Sequence, residues 1–230
     1  AAKINNSRMN LQRFLRNQGD DARKDALQEQ VDKLARLLHT IESCDTMDKL
    51  RGIEGEAASA YFSVFDHLIL QQKEAFRFSG RNRRPPLDRI NAMLSFVYTL
   101  LTLDIRSSLE TVGLDPYVGF LHVDRPGRPG LALDLVEEFR APLADRLVLS
   151  LVNLKQVQAD GFVTEGSEVK MTAECRKTLI SAYQNRKKET IQHPFLDEKM
   201  EIGLVLQTQS RLLARHIRGD IDLYPAMIWK

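Results

Sequence analysis

Residues 88–112 read DRINAMLSFVYTLLTLDIRSSLETV, and this stretch decides the fold class. Apolar side chains recur on almost every side of a 3.6-residue period, and Gly113 follows at a position where helices commonly end. A helix that is apolar nearly all round is covered by neighbours on all sides. We therefore predict that these residues form the central core helix of the protein.

Amphipathic helices are predicted around this core helix, because apolar residues recur at spacings of three and four. These helices are expected over residues 22–43, from Thr46 onward, and over 132–157, 172–188 and 197–217. Pro142 is expected to interrupt the helix in which it lies, and residues 162–171 are predicted to form a hairpin. The predicted fold class is mainly α: a multi-helix domain with at most one small β-hairpin.

Composition limits the class of protein. The chain has 230 residues, and its 33 basic and 31 acidic residues nearly balance, which does not by itself indicate a nucleic-acid partner. Cys44 and Cys175 lack the CxxC spacing of thiolate zinc sites and fit a reducing cytoplasm. No apolar run approaches the roughly 18 residues that span a membrane. We therefore predict a cytoplasmic protein without a membrane partner.

Two basic runs are candidate phosphate-binding segments. The first lies in a predicted loop over residues 73–86 and contains Arg77, Arg81, Arg83 and Arg84. The second is Arg186-Lys187-Lys188. Such runs are more often solvated surface, and that interpretation remains open. Phe76 and Phe78 in the first run either stack on nucleic-acid bases or anchor the loop in the core.

Clustered carboxylates beside a histidine are the candidate site. Asp134, Glu137 and Glu138 are spaced to share one helix face, and His122 precedes the tight turn that leads into that helix. A solvated acidic face paired with Arg140 is the alternative. The sequence lacks Walker-type loops, GxGxxG fingerprints, GxSxG elbows and HExxH pairs, which excludes the enzyme classes that depend on them.

Glu54 is a further candidate, because it lies between Gly52 and Gly55 on an otherwise apolar helix face. Small neighbours leave room for a ligand, although close backbone contact between helices would also require them. One imidazole with two or three carboxylates forms a mixed nitrogen and oxygen donor set. Such a set suits magnesium or manganese better than zinc.

Four segments resemble, in this order and at these intervals, the CRISPR-associated integrase of the adaptation complex, the first of the universal Cas proteins. They are LRGIEG at residues 50–55, DRINAMLSFVY at 88–98, GFLH at 119–122 and LALDLVEEFRAP at 131–142. Each segment is weak alone, and the combination is specific. The resemblance implies that residues 1–230 form a helical, metal-dependent DNA integrase and nuclease domain. It also implies an N-terminal β-rich domain, which we expect to be missing from this chain.

The same resemblance assigns the site residues. Glu54, His122 and Glu137 are expected to bind one magnesium or manganese ion. Asp134 is expected to act in catalysis from a position next to these ligands, without binding the ion itself. Arg140 is expected to contact DNA and Tyr98 to line a DNA end. The loop arginines Arg77, Arg81, Arg83 and Arg84 would then bind DNA phosphates.

The implied function is spacer acquisition in prokaryotic antiviral defence. A 3′-hydroxyl would attack a phosphodiester of the CRISPR array, or water would do so in nuclease action. His122 would either hold the metal or transfer a proton. The implied partners are double-stranded and branched DNA, a second copy of the chain in a homodimer, and the small second CRISPR-associated protein. The alternatives are a non-catalytic helical DNA-binding or scaffold domain and a four-helix module of a signalling protein.

Overall fold

The computed structural model describes residues 1–16, 21–123 and 125–229, and these form eight α-helices with two small antiparallel strand pairs. The helices are α1 Ala2–Leu15, α2 Asp21–Glu42, α3 Met47–Ser63, α4 Arg89–Thr111, α5 Gly130–Val136, α6 Arg146–Asn153, α7 Ala173–Lys187 and α8 Ile202–Ile217. The strands are β1 Phe162–Glu165, β2 Glu168–Met171, β3 Thr190–Gln192 and β4 Lys199–Glu201. The prediction of a mainly α fold is confirmed.

Helix α4 is the central helix, as the apolar pattern of residues 88–112 predicts. Asp88 caps its first turn, because the Asp88 side chain accepts a hydrogen bond from the Asn91 backbone N–H at 2.7 Å. The helix contacts α5, α6, α7 and α8, and nine of its residues are buried. Gly113 follows its end with a φ of +80°, a backbone conformation that favours glycine.

Helix α1 is not predicted from the sequence, because its buried face is partly polar. Asn6, Ser7 and Asn10 are buried there beside Ile4 and Leu11, and these polar residues interrupt the apolar period. The Asn6 side chain donates to the backbone carbonyls of Glu138 and Met227, each at 2.8 Å. Hydrogen bonds to distant segments therefore satisfy the buried Asn6 side chain, whose Oδ1 also accepts from the Trp229 N–H at 3.0 Å.

The predicted helix over residues 132–157 is interrupted near Pro142, as expected. Helix α5 ends at Val136, a π-helical segment follows over Arg140–Asp145, and α6 then begins. Proline has no N–H for the helical ladder, and the Ala144 N–H instead reaches back five residues to the Phe139 carbonyl at 3.4 Å. This interruption changes the directions in which the residues after Val136 point.

The predicted hairpin over residues 162–171 is confirmed as the β1–β2 pair. A second strand pair, β3–β4, is present in addition, and the predicted helix from residue 197 begins only at Ile202. Met200 is buried between solvent-facing neighbours in β4, so its burial follows a period of two. No helix in the described ranges is long and apolar enough to cross a membrane.

Candidate functional site

Glu54 and Glu137 come together at one cavity, although they lie on different elements. Glu54 belongs to α3, and Glu137 directly follows the last residue of α5. Between them lies Lys3, at the start of α1. Its ammonium group forms ion pairs with Glu54 Oε1 and with Glu137 Oε2, the latter at 2.9 Å. The structure therefore brings two of the three predicted metal ligands onto a single cation.

Glu137 is strongly favoured as a carboxylate. Burial alone would raise the pKa of Glu137, but the charges and hydrogen bonds of Arg140 and Lys3 lower it to about 2. The Arg140 guanidinium donates to Glu137 Oε1 at 2.7 Å. Burial, in turn, lowers the pKa of Lys3. Glu137 is thus an anion throughout the physiological pH range.

Tyr98 and Arg140 line the same cavity, and their polar groups are already engaged. The Arg140 guanidinium lies 4.3 Å from the centroid of the Tyr98 ring, and the Arg81 guanidinium lies 5.3 Å from it. The Tyr98 hydroxyl donates a hydrogen bond to the buried Asp145 carboxylate, whose pKa burial raises to about 6. The ring of Tyr98 therefore holds two guanidinium groups at the cavity wall.

His122 is held by Asp134. The backbone N–H groups of Phe120, Leu121 and His122 all donate to the Asp134 carboxylate, at 2.6, 3.1 and 3.1 Å. The His122 Nδ1 lies 2.6 Å from Asp134 Oδ1. Burial raises the pKa of Asp134, but these hydrogen bonds outweigh it and lower the pKa. With Nδ1 engaged, Nε2 is the imidazole nitrogen that can meet a ligand.

Two glycines fix the loop that carries His122. A Cβ added at Gly119 would lie 2.8 Å from the backbone carbonyl carbon of Gly130, so the two backbone segments touch. On its other side the loop is tied to α3, because Arg51 Nε donates to the Leu121 carbonyl at 3.0 Å. Arg51 lies one turn before Glu54, and the same helix therefore supports both parts of the candidate site.

His122, Glu137, Tyr98 and Arg140 also line a cationic groove. The arginines of this groove are Arg81, Arg83, Arg84, Arg125, Arg128 and Arg140. Glu137 is the sole carboxylate among the described residues that line it. Glu137 also borders the cavity around Lys3, so the groove and the cavity meet there.

The four loop arginines predicted to bind phosphate lie in different environments. Arg83 and Arg84 are exposed at the groove, whereas Arg81 donates to Asn91 Oδ1 at 2.6 Å and to Ser95 Oγ at 3.1 Å. Arg77 is exposed but lines neither the groove nor the cavity. Arg81 is therefore a fixed part of the wall, and the neighbouring arginines are free to meet a ligand.

Several residues of the site were missed by sequence reasoning. Lys3 lies in the unpredicted helix α1, and Arg125 and Arg128 lie in the tight turn that leads into α5. The charge of Lys3 is visible in the sequence, but no local pattern connects Lys3 to Glu54, which lies 51 residues later. The signal that could have found the two arginines is their place in the turn that directly follows His122.

The prediction that Asp134, Glu137 and Glu138 share one face is wrong. Helix α5 ends before Glu137, so the three carboxylates diverge. Glu138 points into the core, where it accepts hydrogen bonds from the Met227 N–H at 2.8 Å and from Gln209 Nε2 at 3.1 Å. Burial raises the pKa of Glu138 to about 7. Glu138 therefore stabilises the contact between α8 and the C-terminal segment.

Other residues predicted to contact nucleic acid are instead engaged within the protein. Phe76 and Phe78 are buried, so they anchor the loop and do not stack on bases. In the second basic run, Lys187 pairs with Asp104 at 2.7 Å and Arg186 pairs with Glu189. Both runs therefore contribute fewer free cations than their sequences suggest.

The donor set fits a divalent cation at Glu54 and Glu137. Within residues 1–16, 21–123 and 125–229, no group of three or more His, Cys, Asp or Glu side chains is already arranged around one point. Glu137 Oε2 is buried, and the Lys3 ammonium group that pairs with it at 2.9 Å also pairs with Glu54. Two carboxylates that share a single positive charge keep a net negative charge, which favours a divalent cation in place of the ammonium group.

Fold and site together define an α-helical domain whose carboxylates and imidazole border a cationic groove. The sequence profile of the family described as CRISPR associated protein Cas1 matches residues 1–185. The chain is 55% identical over 229 residues to CRISPR-associated endonuclease Cas1 1 of Chlorobaculum tepidum, covering 99% of this chain and 67% of that protein. The chain belongs to the Cas1 family.

Solved structures share this fold. A casposase bound to an integration product matches with a TM-score of 0.79 at 25% identity, covering 98% of this chain and 61% of the casposase chain. A Cas6-RT-Cas1–Cas2 complex matches with a TM-score of 0.83 at 25% identity, covering 100% of this chain and 24% of that chain. This chain thus corresponds to part of each of these longer chains.

Proposed function

We propose that this chain is the helical catalytic domain of a metal-dependent DNA endonuclease and integrase that inserts short DNA spacers into a CRISPR array. The observation that carries the proposal is the meeting of Glu54 and Glu137 on one cation, where the cavity adjoins a groove lined by six arginines and His122. Family membership and the likeness to a casposase bound to an integration product support it.

Glu54, Glu137 and His122 Nε2 would hold one magnesium or manganese ion. When bound, the ion would polarise a phosphodiester and lower the pKa of an attacking hydroxyl group. Asp134 acts as a positioning residue, because it holds both the imidazole Nδ1 and the backbone of the loop. Lys3 would leave its place between the two carboxylates and neutralise the phosphate charge nearby.

The groove would bind the DNA backbone. Arg83, Arg84, Arg125 and Arg128 line it from two separate loops, and guanidinium groups bind phosphate oxygens in a bidentate manner. Arg140 and Arg81 are held in place against Tyr98 and would stabilise charge on the reacting phosphate. Affinity should therefore fall steeply as salt concentration rises.

The proposed reaction is a transesterification. The oxygen of a terminal 3′-hydroxyl forms a bond to phosphorus, the bond from phosphorus to the 3′-oxygen of the target strand breaks, and the departing oxygen takes up a proton as the attacking one loses its own. One phosphodiester is formed for each one broken, so no external energy source is needed. Water in place of the 3′-hydroxyl gives endonuclease cleavage.

The partners that we propose are double-stranded and branched DNA, a second copy of the chain, and a Cas2-type protein. The fold likeness to a Cas6-RT-Cas1–Cas2 complex supports the Cas2-type partner. The cationic groove supports DNA as the substrate. The homodimer rests on the family resemblance.

The test is cleavage and strand transfer on branched DNA with magnesium or manganese. Glu54→Gln and His122→Ala should each lower the rate by about a hundredfold or more, because each removes a ligand of the reacting site. Glu56→Gln is the matched control. Glu56 lies two residues after Glu54 in the chain, is exposed and pairs with Lys33. Unchanged rates in both site variants would refute the catalytic assignment and favour a non-catalytic DNA-binding domain.

A further inference from the structure

A second basic cleft lies on the other side of the π-helical segment Arg140–Asp145. Arg140 and Asp145 line the cavity of the candidate site, whereas Pro142 and Arg146 line the opposite surface. This opposite surface continues into a cleft between the end of α1, helix α6 and helix α7. We call it the Arg146 cleft, and its basic residues are Arg13, Arg16, Arg146, Lys177 and Arg186.

The charges of the Arg146 cleft are not balanced. Glu189 pairs with Arg186, and Glu174 is the other carboxylate among the described lining residues. Arg13, Arg16 and Arg146 form no ion pair with any residue in the described ranges. The negative charge of Glu189 acts on Arg146 without forming an ion pair with it, and the three guanidinium groups come from two elements that are distant in sequence.

Arg146 carries most of the argument, because it is only partly exposed. Burial and the neighbouring positive charges of Arg13 and Arg186 lower the pKa of Arg146 to about 10. Like charges that converge on a partly desolvated site cost free energy, and a bound anion removes that cost. The cleft holds five basic residues against two carboxylates among its described lining residues, an excess of positive charge that is typical of an anion-binding surface.

The remaining lining residues are suited to a phosphodiester backbone. Neutral hydrogen-bonding side chains surround the arginines: Ser150, Gln156, Thr178, Ser181 and Asn185. Contacts of DNA-binding proteins to phosphate and sugar use arginine and lysine together with such neutral side chains. The cleft has a volume of about 880 Å³, more than a single small anion fills.

We infer that the Arg146 cleft is a second DNA-binding surface, which holds backbone phosphates of a duplex away from the reacting site. The inference rests on the proposed function only in that DNA is the ligand. Residues of the Arg140–Asp145 segment line both surfaces, so one DNA molecule could contact both. The cleft adds affinity and orientation and takes no part in the reaction.

The test is DNA binding by the triple variant Arg13→Ala, Arg16→Ala and Lys177→Ala, measured by fluorescence anisotropy at several salt concentrations. All three residues are exposed, and none lines the candidate site. On a long branched duplex, the slope of log affinity against log salt should become shallower by about 2 to 3, because about 0.9 counterion is released for each phosphate contact. Cleavage at saturating DNA should stay at the wild-type rate.

The matched control is a triple variant of exposed cations on other faces, Arg36→Ala, Lys49→Ala and Lys199→Ala. It should change the slope by less than about 1. A cleft variant with the slope of this control would overturn the inference. So would a cleft variant that binds DNA as the control does but loses affinity for poly-glutamate, since that result assigns the cleft to an acidic protein. A wild-type protein that binds no DNA would overturn the proposed function as well.

Discussion

Glu137 and Glu138 are neighbours in the chain, and their surroundings give them opposite properties. Arg140 and Lys3 lower the pKa of Glu137 to about 2, despite its burial. Burial raises the pKa of Glu138 to about 7, and its partners are the Met227 N–H, Gln209 and Tyr224. One carboxylate faces cations at the border of a groove, and the other faces neutral donors in the core.

The difference shows that the chemical role of a carboxylate here depends on where helix α5 ends. Had α5 continued regularly, Asp134, Glu137 and Glu138 would have faced one side. Because it ends at Val136, Asp134 supports His122, Glu137 faces Lys3, and Glu138 joins α8 to the C-terminal segment. Substitutions at these positions should therefore separate activity from stability.

Glu137→Gln should have the largest effect. It removes the anion that borders both the cavity and the groove, so the rate of strand transfer per folded molecule should fall by about a hundredfold or more. Because Lys3 and Arg140 lose a partner, the free energy of unfolding should also fall by about 1 to 3 kcal/mol. Rates and urea unfolding measured on the same sample check both effects. A rate within threefold of wild type would contradict the assignment of Glu137.

Glu138→Gln should change the pH dependence of stability and leave the rate almost unchanged. The folded-state pKa of about 7 lies above the ordinary value of 4.5, so the folded wild type binds the proton more tightly than the unfolded chain does. Its contribution is complete below about pH 4.5 and is lost as pH rises through 7. The free energy of unfolding of the wild type should therefore fall by about 3 kcal/mol relative to the variant from pH 4.5 to 8. A difference that is constant across that range would contradict this environment for Glu138.

Asp134→Asn should lower both manganese affinity and strand-transfer rate by about 10- to 100-fold, because the amide holds His122 Nδ1 less strongly. Isothermal titration with manganese gives the affinity without relying on activity. Asp115→Asn is the control, since this exposed carboxylate accepts only from the nearby Tyr117 N–H at 2.9 Å in the part of the chain described. Equal effects of the two substitutions would contradict a positioning role for Asp134.

Lys3→Met should have the smallest effect of the four substitutions, and it should raise manganese affinity, which Asp134→Asn lowers. Without the ammonium group between them, Glu54 and Glu137 repel each other in the metal-free protein, so manganese affinity should rise by about tenfold. The thermal midpoint without metal should fall, and manganese should restore it. Lys33→Met, which breaks the exposed pair with Glu56 at 3.0 Å, provides the control. A lower manganese affinity in Lys3→Met would show that Lys3 supports metal binding.

Sequence patterns predict the central helix, most of the helices around it, the first hairpin and the order of the motif segments. Each of these follows from local periodicity, turn residues or capping, which act over a few residues. Asp88 and Gly113 mark the ends of α4, and Pro142 marks the interruption after α5. The candidate ligands Glu54, His122 and Glu137 were also named from the sequence, through their motifs.

How these residues come together in space depends on long-range packing. Helix α1 escaped prediction because Asn6 and Asn10 face the core, where their side-chain amides donate to distant partners. Lys3 therefore came into view only with the fold, between carboxylates that are far from it in the chain. The divergence of Glu137 and Glu138 depends on helix α5 ending at Val136, whereas the sequence predicts an interruption only near Pro142. Long-range electrostatics and burial set their pKa values, and no local pattern encodes either quantity.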